Sequence, residues 1–149
     1  MIIDSLKALF ERDLQRLYEE ISLYKDEKKL WHVEQNIANS AGNLCLHLIG
    51  NLNTYIGAEI GGSGYIRNRE AEFSDKNIPR QSLLEEIAKT RTQVSNALGT
   101  LKESELHEEY PRLVFEKSMS TLYFLMHLTT HLNYHLGQIN YHRRLLDEK

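Results

Sequence analysis

The chain has 149 residues, 41% of them hydrophobic and 26% charged, with a net charge of −3 and a sequence pI near 6.2. That length suits a single domain over 1–149 with a full core, and the near-balanced charge, with no basic run beyond Arg143-Arg144, excludes a nucleic-acid footprint. Cys45 stands alone, so no disulfide forms within the chain and a reducing, cytoplasmic setting is expected; the charges soon after Met1 read as neither a signal peptide nor a membrane span.

Asp4 or Ser5 can cap a first helix. It carries Leu6, Leu9, Phe10, Leu14, Leu17, Ile21 and Leu23 at helical spacing, up to about Tyr24. The charge run 25–29 reads as an exposed helix end, and Trp31 as a lid on one end of the fold. A second helix is expected over about 34–59, with Ile37, Ala41, Leu44, Cys45, Leu48, Leu52 and Ile56 on its apolar side. Beside that side runs a polar stripe of Ser40, Asn43, His47, Asn51 and Thr54. Such a stripe either faces solvent or lines a polar pocket inside a bundle.

Gly61-Gly62-Ser63-Gly64 ends this helix. A phosphate loop is set aside, because no strand precedes it and no Gly-Lys-Ser/Thr follows. The segment up to Pro79 is too long for a tight turn and should cross the domain. Ser82 and Glu85 have capping-box spacing for a third helix, which buries Leu83, Leu84, Ile87, Val94 and Leu98. After Pro111 a fourth helix is expected over about 118–146. No segment reads as a strand. Four long amphipathic helices imply an all-α four-helix bundle, and the unequal connections argue against simple up-down-up-down order.

Four of the seven histidines, His127, His131, His135 and His142, fall in the fourth helix. His131 and His135 are four apart, one turn on one face, which is how a helix presents two imidazoles to one metal ion. His127 with His131 is the shifted alternative. Leu132 stands where a metalloprotease helix has its glutamate, so the pair carries no built-in general base. A third ligand must come from another segment, and His47 is the best candidate, because it sits mid-helix on an inward-capable stripe. Asn43 and Asn51, each one turn from His47, could orient a ligand. Tyr55 and Tyr134 are candidate proton donors or packing residues, and Gly137 with Gln138 could serve close helix packing. Arg67 and Arg69 could meet an acidic substrate, though loop arginines more often sit at the surface. Cys45 reads as core.

The stretch Leu46-His47-Leu48, together with His131-Leu132-Asn133-Tyr134-His135-Leu136-Gly137-Gln138-Ile139 and the loop from Arg67 to Phe73, resembles the DinB-like (DinB/YfiT-like) metalloenzyme superfamily over essentially the whole chain. The resemblance implies an up-down-down-up bundle with the 61–79 segment as its crossover. It implies a divalent metal ion, zinc or nickel, held by His47, His131 and His135. It also implies chemistry with low-molecular-weight thiols, and homodimers. The expected function is a metal-dependent thiol S-transferase or hydrolase acting on a small molecule, with no nucleic-acid or membrane partner. The alternative is a non-catalytic, stress-related bundle that binds a metal or small molecule.

Overall fold

The apolar periodicities fold into helices, as a computed structural model describing residues 1–148 shows. The long helices are α1 (Ile2–Leu23), α2 (Ala41–Leu52), α4 (Arg80–Gly99) and α5 (Thr121–Leu146), and a short α3 (Arg69–Ser74) lies between α2 and α4. Single 3-10 turns occupy Glu27–Trp31 and Glu103–His107. Among the described residues there is no strand, only isolated bridges pairing Glu109 with Ser120 and Val114 with Lys117. No described helix is long and apolar enough to cross a membrane.

Helix α1 packs against α4 and α5, and α2 packs against the same two. Phe10, Leu14, Leu17, Leu48, Leu52, Leu98 and Phe124 are almost wholly buried between them. The polar contacts order the helices. Asn133 donates to Asp13 (3.0 Å), while Asn140 and Arg143 donate to Glu20 (2.7 Å each), so α1 and α5 advance together. Arg91 of α4 meets Gln15, whereas Arg80 meets the Tyr24 carbonyl, the reverse order. His47 lies beside His131, and Tyr55 beside Phe124, so α2 and α5 also run in opposing order.

The second helix starts at Ala41, not near Glu34. Asn36 has a left-handed φ of 73°, which breaks any helix there, and the Ser40 hydroxyl caps the new start by accepting from the Asn43 amide (3.2 Å). Ile37 is consequently half exposed rather than core. The helix then loosens into a π-helical turn over Asn53–Ala58. Such turns widen a helix by one residue and recur at functional sites; no spacing in the sequence announced it. Ser82 caps nothing, since α4 already begins at Arg80 behind Pro79. Trp31 does lid the start of α2. A Cβ on Gly42 would lie 2.7 Å from its indole ring, so glycine is required for that contact.

Candidate metal centre

The five residues of the polar stripe on α2 are all buried: Ser40, Asn43, His47, Asn51 and Thr54. The stripe faces inward because the segment after it, including α3, folds over this side. Asn43 makes the attachment. Its side-chain amide donates to the carbonyls of Glu72 and Asp75 (2.9 Å each), while its oxygen accepts from Ser40 (2.7 Å) and from Lys76. Asn43 thus acts one step removed from any ligand, by holding α3 and with it Glu72 against α2.

Three imidazoles meet there. His131 Nε2 lies 3.2 Å from His47 Nε2 and 3.2 Å from His135 Nε2, and the donor atoms of the three residues all lie within 4.8 Å of one another. Nitrogens bound to one tetrahedral ion at ~2.0–2.1 Å would be roughly 3.3 Å apart. The outer nitrogens decide what the inner ones offer. His47 Nδ1 lies 3.1 Å from Glu72 Oε1, and His135 Nδ1 lies 2.7 Å from Gln138 Oε1. Both partners are acceptors, and Glu72 lies closer to His47 Nδ1 than the one donor beside it, Arg67 Nη2 at 3.4 Å, so the two rings carry their protons on Nδ1 and turn Nε2 lone pairs inward. His131 has a single proton to place. Its Nδ1 is buried with no hydrogen-bond partner among the described residues. Three converging nitrogens with at most one proton between them leave lone pairs facing each other, a donor set that could hold a metal ion.

Electrostatics point the same way. Burial, followed by the neighbouring His135, His47, His127 and Arg67, pushes the His131 pKa down to about 3. Burial also lowers His135, opposed by its bond to Gln138. Both rings therefore stay neutral, the form a metal needs, across the physiological range. Burial would raise Glu72, but bonds from His47 and Arg67 more than offset it, and its carboxyl falls below the ordinary glutamate range. Arg67 grips this carboxylate with both ends of its fork, Nε to Oε2 at 2.8 Å and Nη2 to Oε1 at 2.9 Å. It is not a surface arginine: its side chain is 13% exposed.

A family model described as Protein of unknown function (DUF1572) matches residues 2–149. The chain belongs to this family. No curated protein matches it. The other histidines of this DUF1572 protein take no part in the cluster. His142 Nε2 donates to the His32 carbonyl (2.9 Å), so its Nδ1 accepts from the Tyr24 hydroxyl (2.7 Å), and the ring ties α1 to α5. His127 stacks on Phe124 with its centroid 6.3 Å from that of His131. His32 pairs with Glu34. Tyr134 is 66% exposed and stands edge-on to His135, ring centroids 5.4 Å apart. Gly137 admits no neighbouring backbone, for a Cβ there would meet nothing within 4 Å. Cys45 is buried as expected, with a thiol that burial pushes up to about 12.

The residues that sequence reasoning missed in the DUF1572 chain are Glu72 and Gly50. A Cβ on Gly50 would fall 1.9 Å from Glu72 Oε2, so only glycine lets the carboxylate reach His47. The available signal was a glycine inside an apolar helix, three residues from His47, a common mark of close approach.

The histidine shifts set a pH dependence. Below pH ~6.5 the unfolded chain takes up protons at His131, His135 and His142 that the folded chain resists, so folding loses stability as pH falls. Glu72, with its lowered pKa, stays ionised through most of this window. Metal-stripped protein should therefore show a urea midpoint that changes little from pH 7.5 to about 6.5 and declines from there to about pH 5. A flat midpoint would contradict buried neutral imidazoles.

Proposed function

We propose that this protein is a metal-dependent enzyme, a thiol S-transferase or hydrolase, built around a zinc or nickel ion held by His47, His131 and His135. The observation that carries the reading is the convergence of three Nε2 atoms whose outer nitrogens, on His47 and His135, are already taken by Glu72 and Gln138. A divalent ion on three neutral imidazoles keeps its full double charge and would lower the pKa of a coordinated thiol or water at its open position. Glu72 orients His47 and raises its basicity, and Gln138 orients His135. Tyr55, on the π-helical turn, borders the cavity next to His47 and His131 and is a candidate proton donor.

The contact order of the helices supports placing the chain in the DinB-like superfamily with up-down-down-up order. Exposed Tyr123, Met126, Tyr134, Tyr141 and Leu145 along α5 support the homodimer reading, since an apolar stripe of this kind is a usual protein contact. A cytoplasmic setting accords with the single buried thiol. One observation favours the non-catalytic alternative: Glu72, the carboxylate bonded to His47, is fully engaged by His47 and Arg67 and cannot serve as a free general base.

Elemental analysis of protein purified without an affinity tag tests the metal. One ion per chain, lost in His47→Ala, is expected; a folded wild type without metal overturns the reading. Assays with low-molecular-weight thiols and electrophiles test the reaction, and turnover that survives metal removal would sink the metal mechanism.

A further inference from the structure

One cavity beside the site, about 460 Å³, touches only His135 of the three histidines and is bordered mainly by residues 36–39 and the end of α5. A second one, about 300 Å³, is lined by both His47 and His131. It is smaller but chemically richer, and it falls at the low end of the ~300–1,000 Å³ typical of ligand pockets. Tyr55, Val114, Phe115, Phe124 and Leu128 form its apolar and aromatic part, facing the polar part made by the histidines, Asn51 and two arginines.

Two arginines line this cavity, and they differ. Arg67 is neutralised by its two-pronged pair with Glu72. Arg69 lies over the Phe73 ring, 5.3 Å from its centroid, and has no carboxylate partner among the described residues. A third feature is Asn51. It is 7% exposed, it lines the cavity, and its Oδ1 has no hydrogen-bond partner among the described residues. A buried amide oxygen left in that state calls for a donor. The fourth is Phe115, at the tip of a two-residue turn closed by the Val114–Lys117 bridge. Phe115 and Glu116 both adopt left-handed φ values, 58° and 57°, which side chains other than glycine and asparagine avoid. That conformation brings the Phe115 ring edge-on to His127, centroids 5.2 Å apart, at the cavity wall.

We propose that this cavity is the substrate subsite of the metal centre and selects a small carboxylic acid with a planar apolar body and a hydrogen-bond donor. The proposal rests on the metal-centre reading. The carboxylate meets the Arg69 fork, which matches two oxygens in one plane. The planar body lies along Tyr55 and Phe115, and the donor faces Asn51 Oδ1. The planar Arg69 fork pairs with the two oxygens of a carboxylate, whereas the remaining oxygens of a tetrahedral phosphate would lie against Tyr55, Phe115 and Phe124. The chemistry therefore favours a carboxylate over a phosphate.

Mandelate carries all three features and serves as the probe, with mandelamide and inorganic phosphate as comparisons. Titration calorimetry on the full chain should show mandelate binding at least tenfold tighter than either. Arg69→Gln, an exposed position, should weaken mandelate about tenfold and leave metal content unchanged. Asn51→Leu should abolish the preference for mandelate over phenylacetate. Equal binding of mandelamide or phosphate, or an Arg69→Gln protein that binds mandelate as wild type does, overturns the proposal. The titration is repeated on chelator-treated protein. An Arg69 effect in a wild type that never holds metal would overturn the metal centre while upholding the carboxylate subsite.

Discussion

Gly50→Ala is expected to destabilise the protein by about 3–5 kcal/mol, the range for breaking a buried charge pair. The sign is what makes this informative. Alanine for glycine inside a helix ordinarily stabilises by ~1 kcal/mol. At Gly50 the new methyl would sit 1.9 Å from Glu72 Oε2 and 2.5 Å from Glu72 Cδ. The carboxylate must leave, Arg67 loses both its bonds, and His47 loses the acceptor that fixes its tautomer. Metal affinity should fall about 10–100-fold, as it does when an outer partner of a ligating histidine is lost. Urea midpoints of a double-mutant cycle check the cause. In a Glu72→Ala background the carboxylate is already gone, so adding Gly50→Ala should stabilise by up to ~1 kcal/mol. A Gly50→Ala that destabilises equally in both backgrounds would show that Glu72 is not the group displaced.

His131→Leu should remove the metal and make the metal-free protein more resistant to acid. His131 is the shared neighbour of both other rings, so without it no pair of inward nitrogens remains within 3.2 Å. The loss of affinity should exceed the ~10–100-fold that follows loss of an outer partner. The stability effect runs the other way. The leucine carries no buried unpartnered Nδ1 and no imidazole held at a pKa of about 3. Between pH 6.5 and 4.5 the variant should therefore show a flatter urea midpoint than metal-stripped wild type. A variant with unchanged metal content, or one as acid-sensitive as wild type, would contradict the role assigned to His131. Together the two variants separate the causes. Gly50→Ala acts through Glu72 and lowers both stability and affinity, whereas His131→Leu exchanges affinity for stability.

The helices were legible because their cause is local. Leu6, Phe10, Leu14, Leu17 and Ile21 recur at helical spacing in the sequence and are buried at that spacing in α1. The His131/His135 pair was legible for the same reason, since four residues make one turn wherever the helix lies. What misled was the start of α2. Apolar Ile37 continued the pattern, but the left-handed Asn36 and the Ser40 cap cut the helix short. Periodicity registers which side chains could share a face and says nothing of a backbone reversal.

An all-helical chain, a two-histidine turn on its last helix and a polar stripe carrying His47 all follow from residue order alone. Whether that stripe faced water or the interior depended on what covered it, which is a matter of how distant segments pack. Asn43 holds down α3, α3 delivers Glu72 across the gap left by Gly50, and Glu72 turns His47 toward the pair on α5. Glu72 is 25 residues from His47, and His131 is 84. No helical period relates positions so far apart; the packing of α2, α3 and α5 does.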